Sequence, residues 1–300
     1  MSEIYRVQVD PAATNNPHSY ALQLTGGGHR VLEVGCSVGH VTEHLIAAGN
    51  TVVGVEIDPD AAAQASEWAE TVHVLDLDTE RVSSVEAGPF DVILLGDVIE
   101  HLRDPIAAMR DLLSLLADDG RIIVSVPNVS HIDIRLMLLE GTWAYQHNGL
   151  LDRTHLRWFT RESLRSLLGE LGLTARRVER VRNGIGSSGL PVTPGLHSPD
   201  VISFVQADPE ALTYQFVVEA VRSTPGLVDA LEPDGSPWAE VMARRLALEA
   251  ELAATRHEVS ELQAHNEALQ TEVDAWKNSK LARISAPLRS VWARVRSVRA

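Results

Sequence analysis

Glu33 lies inside one short apolar run and Glu56 closes the next, with Gly35-Cys36-Ser37-Val38-Gly39 between them. Val31-Leu32-Glu33-Val34 and Thr51-Val52-Val53-Gly54-Val55-Glu56 are rich in β-branched residues, the composition of buried strands. A strand, a glycine-containing turn entering a helix, and a second strand ending in an acid form the layout of a nucleotide-type site. Small residues let a ligand approach the backbone, and the second acid takes a ribose diol. This turn lacks the G-x-G-x-x-G spacing that cradles a pyrophosphate, and Glu33 puts a carboxylate where it would face a cation. The chemistry is that of a cationic nucleoside ligand rather than a dinucleotide.

S-adenosylmethionine, with a sulfonium and an amino acid in place of pyrophosphate, has that polarity. Two further segments follow in order, Pro89-Phe90-Asp91-Val92-Ile93-Leu94-Leu95-Gly96-Asp97-Val98-Ile99-Glu100-His101-Leu102 and Gly120-Arg121-Ile122-Ile123-Val124-Ser125-Val126-Pro127-Asn128. Together the four segments resemble the class I S-adenosylmethionine-dependent methyltransferases over residues 15–222. The resemblance implies that Glu33, Gly35, Cys36, Ser37 and Gly39 surround the methionine moiety and that Glu56, followed by Ile57, takes the ribose hydroxyls. It also implies that Asp76 and Leu77 lie at the adenine, with Asp78 as the alternative acid, and that Gly96, Asp97 and Val98 supply the sulfonium side. His101 belongs to a Glu-His-Leu pattern expected beside the cofactor. Cys36 reads as a small residue that fits the turn rather than a nucleophile. Ser37 stands where many members have glycine, a departure of little cost if its φ is negative.

Methyl transfer from a sulfonium is an in-line displacement, for which aligning the reactants can be worth about 7–11 kcal/mol. Transfer to an alcohol also needs proton removal, and a positioned base contributes roughly 10²- to 10⁴-fold. Candidate bases must emerge at the carboxyl edge of the sheet, where ligands sit in open α/β folds. His131 follows Pro127 closely, and Leu150-Leu151-Asp152-Arg153-Thr154-His155-Leu156-Arg157-Trp158-Phe159-Thr160 is dense in hydrogen-bonding side chains. His155 or His131 is expected as the base, with Asp152 orienting the imidazole. Arg153 and Arg157 order the loop or bind an anionic substrate group, and Trp158 lies with them on the substrate side. No metal site is assigned.

The elements needed to position these residues alternate between strand and helix from Val31 to about Leu173, which predicts an α/β fold. The expected architecture is a seven-stranded, mostly parallel, doubly wound Rossmann-like sheet with a C-terminal helical coiled-coil extension. One helix follows Gly39 and stops at Gly49, and a second opens at Asp58-Pro59. Val72–Leu75 is a short strand. A helix led by Asp104-Pro105 is expected to end near Gly120. Another runs from Thr160 to Gly169, with Thr160 as cap and Ser163 in its first turn rather than a full capping box. Residues 183–191 form a flexible loop, and Tyr214–Val221 is the last strand, which the family fold inserts antiparallel beside the fifth.

The expected domains are 1–223 for the methyltransferase, 224–237 for a linker, 238–279 for a coiled coil and 280–300 for a basic tail. Leu248, Leu252, Thr255, Val259, Leu262, Asn266, Leu269, Val273 and Trp276 recur at alternating steps of 4 and 3, a heptad seam. Val259 and Val273 at position a with Leu262 and Leu269 at d favour a parallel homodimer, and Asn266 fixes its register. Residues 280–300 hold six basic residues and no acid. Their amphipathic pattern predicts a helix that lies on an anionic membrane or docks on an acidic partner, with Pro287 kinking or restarting it. The whole chain carries a formal charge of −15, so the remaining body is strongly acidic and repels phosphate backbones. A nucleic-acid substrate is excluded on that ground. A single cysteine excludes an intrachain disulfide and fits a reducing cytosol. The absence of a long apolar run or signal-peptide pattern fits a cytoplasmic protein, peripheral at the inner membrane face.

The Leu150–Thr160 segment resembles methyltransferases associated with bacterial surface-glycan assembly. Ile284-Ser285-Ala286-Pro287-Leu288-Arg289 is similar to the C-terminal pattern of glycosyltransferases in that setting. The resemblance implies a sugar hydroxyl as acceptor in glycan or polysaccharide biosynthesis. Two alternatives stand beside it: a lipid-like or quinone-type acceptor, which Trp143 and Trp158 would accommodate, and a non-catalytic scaffold that binds S-adenosylmethionine.

Overall fold

The computed structural model describes residues 9–232, 237–278 and Arg283. The chain divides into two units, Met1–Asp234 and Gly235–Ala300. In the first unit the strands are β1 (Arg30–Val34), β2 (Thr51–Glu56), β3 (Thr71–Val74), β4 (Phe90–Gly96), β5 (Leu116–Pro127), β6 (Leu173–Arg182) and β7 (Thr213–Arg222). Among the described residues they form one sheet in the order β3-β2-β1-β4-β5-β7-β6. The first five are mutually parallel, and β7 runs antiparallel to both β5 and β6. The seven-stranded, mostly parallel architecture is therefore as expected, including the insertion of the last strand beside the fifth.

The sheet forms because its central strands are apolar on both faces. Val31, Leu32, Val52, Val92, Ile93, Leu95, Ile122 and Ile123 are fully buried, as a parallel sheet covered by helices requires. One core lies under Leu32, Ile93, Met109, Ile122 and Phe216, and the other under Val31, Leu45, Val52, Val92 and Ile123. The chain moves outward from β1 through β2 to β3, then returns to place β4 on the other side of β1. The strand order reverses between β1 and β4, so the crevice at the carboxyl ends of these two strands is the place for a ligand.

The helices of this unit are α1 (Pro17–Thr25), α2 (His40–Ala47), α3 (Pro59–Ala65), α4 (Pro105–Leu113), α5 (Ile132–Leu139), α6 (Arg161–Glu170) and α7 (Pro199–Gln206). Asp58 and Asp104 cap α3 and α4, each followed by proline at the first helical position.

Three expectations are corrected here. Helix α4 ends at Leu113 rather than near Gly120, and β5 begins at Leu116. Leu112, Leu113, Leu115 and Leu116 are all buried, and an apolar stretch broken only by Ser114 has no period that would separate helix from strand. Helix α6 does carry a capping box: Ser163 N–H donates to Thr160 Oγ1 at 3.2 Å and Thr160 N–H donates to Ser163 Oγ at 2.8 Å. A serine hydroxyl does here what Glu or Gln usually does. The early part of the expected 224–237 linker belongs to the first unit. Leu231 is fully buried in the core, Asp229 pairs with Arg165 at 2.8 Å, and Ala230 N–H donates to the Ala175 carbonyl.

In the second unit, α8 (Pro237–Asn278) is a single continuous helix. Its seam residues Leu252, Val259, Leu262, Leu269, Val273 and Trp276 are exposed on the single chain. Apart from Arg283, the basic tail of residues 280–300 lies outside the described residues. Among the described residues, no helix is long and apolar enough to cross a membrane.

Candidate active site

The turn after β1 is built on β2. Gly35 N–H donates to the Val55 carbonyl at 2.7 Å, and Cys36 N–H reaches the same oxygen at 3.2 Å. Glu56 completes the anchor: its Oε2 accepts from Ser37 N–H at 2.8 Å, and its Oε1 accepts from Ile57 and Asp58 N–H at 2.9 and 3.0 Å. Gly35 has φ +73°, and a Cβ on it would sit 2.6 Å from Val98 Cγ2. This close approach brings the first turn against the loop after β4, so only glycine fits. Ser37 has φ +48°, so the condition under which its departure from glycine would cost little is not met. Its N–H bond to Glu56 helps hold this left-handed conformation, which costs a non-glycine residue about 1–2 kcal/mol. Gly39 leads directly into α2.

Glu33 is 4% exposed, and Thr42 on α2 donates a hydroxyl hydrogen bond of 2.6 Å to its Oε2. Burial pushes its carboxyl up to about 7, the Thr42 bond opposes the rise, and the Glu56 charge adds to it. Cys36 is buried against Gly54, and burial raises its thiol far above the usual range. A neutral, enclosed sulfur is inert packing. At the adenine end, Asp78 is committed to Arg103, whose N–H it accepts at 2.8 Å. Asp76 makes a local turn by accepting Asp78 N–H at 2.9 Å, with Leu77 packed on the core beside it. Ile57 is 65% exposed next to Glu56, an apolar surface at the mouth of the crevice.

Beyond β4, Gly96 is exposed and Asp97 takes a left-handed φ of 55°. Asp97 Oδ1 accepts from Ser125 Oγ at 3.0 Å and Gln215 Nε2 at 2.5 Å, which ties the loop to β5 and β7. Burial raises its carboxyl above the ordinary carboxylate range.

The Leu150–Thr160 segment is clamped onto this loop by backbone bonds. Leu156 and Arg157 N–H donate to the Glu100 carbonyl at 2.8 and 2.9 Å, and Val129 N–H donates to the Phe159 carbonyl at 2.9 Å. His155 is thereby brought to His101, with ring centroids 4.8 Å apart and edge-on. Glu100 completes the group, and among the described residues the donor atoms of Glu100, His101 and His155 lie within 4.8 Å of one another. Glu100 is 1% exposed, and apart from its own backbone N–H neither carboxylate oxygen has a hydrogen-bond partner. Burial and the Asp97 charge raise its carboxyl well above the ordinary range. Burial, assisted by His101, drives the His155 imidazole down to about 4, so it is neutral near pH 7.

The structure separates the two histidines expected as bases. His131 is fully buried as the N-cap of α5; its Nδ1 accepts Asp133 N–H at 3.2 Å, and its Nε2–H donates to the Asn183 carbonyl at 3.2 Å. Both ring nitrogens are occupied by backbone. The Asp152 carboxylate lies against Thr154 instead of the His155 ring, accepting its N–H and hydroxyl, both at 2.7 Å. With its proton committed to Asp152, Thr154 Oγ1 accepts from His101 Nδ1–H at 3.2 Å, so Asp152 orients His101 through Thr154. Arg157 donates to the Arg103 carbonyl and orders the loop, whereas Arg153 is exposed. Trp158 is partly exposed and meets Trp143 edge-on at 6.1 Å, with Tyr145 beyond at 6.2 Å.

Glu100, Thr42, Thr154 and Gln215 enter the site without having been singled out from the sequence. The adjacent Glu100-His101 pair was a usable signal. Its meeting with His155 depends on tertiary backbone pairing that no local spacing encodes.

Residues 8–178 match the family described as Methyltransferase domain. The chain belongs to this family, and its class is that of the S-adenosylmethionine-dependent methyltransferases. A ubiquinone biosynthesis O-methyltransferase from Caulobacter sp. (strain K31) is 34% identical over 105 residues, covering 34% of this chain and 42% of that protein. Another of that name, from Psychrobacter arcticus, is 29% identical over 117 residues, covering 37% of this chain and 46% of that protein. The chain thus spans less than half the length of these curated relatives. Among solved structures, it resembles an S-adenosylmethionine-dependent methyltransferase from Archaeoglobus fulgidus with TM-score 0.48 and 18% identity, covering 68% of this chain and 94% of that one.

Proposed function

We propose that the chain transfers a methyl group from S-adenosylmethionine to a hydroxyl oxygen of an aromatic, quinone-type acceptor. The observation that carries the reading is the juxtaposition of the Glu33–Glu56 crevice with the loop after β4, which carries His101 beside His155 and meets the first turn through the Gly35–Val98 contact. The residues suit the cofactor: a buried carboxylate at Glu33 for a cationic ligand, a backbone-anchored carboxylate at Glu56 for the ribose, and an apolar mouth at Ile57 for the base. When bound, S-adenosylmethionine supplies an electrophilic methyl group. The protein's task is to align the acceptor oxygen, exclude water and help the hydroxyl lose its proton.

His155 is the residue placed to assist that proton loss, since both ring nitrogens of His131 are engaged. Leu156 and Trp158 of the same segment, with Trp143 and Tyr145 from the chain before it, give an exposed apolar and aromatic surface suited to a planar or lipid-tailed acceptor. The curated relatives named as ubiquinone biosynthesis O-methyltransferases favour this acceptor over a sugar hydroxyl, at low identity and over part of their length. The sugar reading rests on the likeness of the Leu150–Thr160 segment and the tail alone. The exposed seam of α8 supports parallel pairing of two copies, and the basic tail supports attachment to an anionic surface.

The test is acceptor screening with methyl-labelled S-adenosylmethionine against a catechol series and a sugar series. Transfer to catechols supports the reading. Transfer to sugars alone overturns it in favour of glycan methylation, and transfer to neither overturns the acceptor assignment.

A further inference from the structure

The exposed rim on either side of His155 is cationic, on a chain whose body is acidic. Over residues 141–158 the exposed side chains are aromatic, apolar, neutral polar or basic, and the one acid, Asp152, is buried against Thr154. Most arginines of the first unit end on a carboxylate, among them Arg30 on Glu86, Arg110 on Glu170, Arg165 on Asp229 and Arg180 on Glu210. Arg153 and Arg157, two residues to either side of His155, do not. The Arg153 guanidinium has no partner among the described residues, and Arg157 gives an N–H to the Arg103 carbonyl, which leaves its other donors available. With 41 Asp and Glu against 26 Lys and Arg in the chain, carboxylates are in excess, so their absence here is not for want of partners.

The backbone that carries these arginines is held in place. Arg153 N–H donates to the Gln146 carbonyl at 3.1 Å, His155 N–H to the Asp152 carbonyl at 3.0 Å and Arg157 N–H to the Glu100 carbonyl at 2.9 Å. Both side chains therefore leave a fixed frame, which limits the ordering that a ligand must impose. Around Arg103, where the Arg157 side chain ends, the acids are already used: Asp78 pairs with Arg103, and Asp104 accepts the Ala107 N–H at the start of α4.

We propose that Arg153 and Arg157 bind a phosphate-type dianion carried by the acceptor, whose ring lies on the aromatic surface of Trp143 and Trp158. A guanidinium is a planar fork of five N–H donors with a permanent charge, a shape that matches oxyanions. Two forks suit a group with three terminal oxygens and close to two negative charges, whereas a carboxylate is satisfied by one. The acidic body does not oppose this, because exposed charges more than about 8 Å away are largely screened at physiological salt while the two guanidiniums act in contact. The inference rests on the acceptor reading above and deepens it: the acceptor is a phosphorylated, planar hydroxy compound. Arg153 and Arg157 are positioning residues, which use the remote anion to orient the hydroxyl without touching the reacting atoms.

The test gives the full chain S-adenosylmethionine and three catechols that differ in one ring substituent: phosphonomethyl, carboxylate or methyl. The phosphonate is expected to exceed the neutral methyl compound in kcat/KM by at least about tenfold, with the difference in KM and shrinking as salt is raised. Arg153→Gln and Arg157→Gln should each reduce that preference, and Arg153→Lys should keep more of it than Arg153→Gln. Should Arg157→Gln loosen the loop, Arg153→Gln carries the test. Equal use of the three catechols, or variants that lower kcat for all three alike, overturns the anion site in favour of a loop-ordering role. A carboxylate used as well as the phosphonate overturns the dianion. A second arm titrates the full chain with phenylphosphonate, which has no hydroxyl to methylate, and expects saturable binding that weakens in Arg153→Gln. If phenylphosphonate binds in this way but no catechol is methylated, the anion site stands and the acceptor reading fails. If catechols are methylated without preference and phenylphosphonate is ignored at millimolar concentration, the site fails while the acceptor reading stands.

Discussion

Glu33 sits opposite Gly54 in the β1–β2 ladder, two residues before Glu56. Paired residues and those two apart along a strand share a face, so Glu33, Gly54 and Glu56 lie on one side of the sheet. The missing side chain at Gly54 is filled by the Cys36 sulfur, which would be 2.8 Å from a Cβ there. Two acids are thus held side by side without touching. Each is committed elsewhere, Glu33 to the Thr42 hydroxyl and Glu56 to backbone N–H groups. Mutual repulsion is tolerable in such an arrangement when a cation arrives between the strand ends, and in the absence of one it adds to the rise that burial imposes on the Glu33 carboxyl.

A pH dependence follows. Because Glu33 titrates at about 7 in the fold against an ordinary 4.5, the folded chain holds an extra proton between those values. Stability from this group therefore falls as pH rises through that window, by on the order of 3 kcal/mol, and is flat above it. Binding of a cationic cofactor favours the ionised form, so affinity for S-adenosylmethionine should rise between about pH 6 and about pH 8. Glu33→Gln should flatten that profile in calorimetry at a series of pH values.

Gly35→Ala should fold less stably by about 1–2 kcal/mol, because φ +73° penalises any side chain. The new methyl group also displaces Val98, so cofactor affinity should fall at least about tenfold, by about 1.4 kcal/mol. Adding Val98→Ala should recover part of the affinity, leaving the backbone penalty. Thermal melts and cofactor titrations of the single and double variants separate the two effects.

The two buried histidines should behave oppositely. His131→Ala removes the cap of α5 and strands the Asp133 N–H and the Asn183 carbonyl. A stability loss of about 1–3 kcal/mol is expected, with kcat of the folded fraction within a few-fold of wild type. His155→Ala should instead lower kcat by roughly 10²- to 10⁴-fold while cofactor affinity is kept. Denaturant melts paired with steady-state kinetics check both.

For the second unit, sedimentation of the full chain should show a dimer. Leu262 and Leu269 are 62% and 46% exposed on the single helix, and replacing both by glutamate puts like charges in the seam. That variant should sediment as a monomer and bind S-adenosylmethionine unchanged. A monomeric wild type would remove the pairing.

What could be read from the chain was what short periods encode. The strand–turn–helix around Glu33, the acid at Glu56 and the existence of the last strand follow from apolar runs broken by glycine and proline, while the antiparallel direction of that strand came from the family resemblance. Strand β6 was not singled out, because Leu173–Arg182 carries Arg176, Arg177, Arg180 and Arg182 and has little of a buried strand's composition. It lies at the sheet edge, where Arg176 and Arg180 find Glu219 and Glu210 far along the chain. The sign of φ at Ser37 escaped for a related reason: it is set by the bond to Glu56, a contact between elements. Leu231 was hidden by its proline- and glycine-rich neighbours, and Asp152 was assigned to the wrong histidine because Thr154 stands between.

The most direct measurement of the central claim is calorimetric titration of the full chain with S-adenosylmethionine, alongside Glu33→Gln and Glu56→Gln. The account predicts one molecule bound per chain and a clear weakening in each variant, with both variants folded by circular dichroism. No heat at millimolar cofactor, or variants that bind as tightly as wild type, would contradict it.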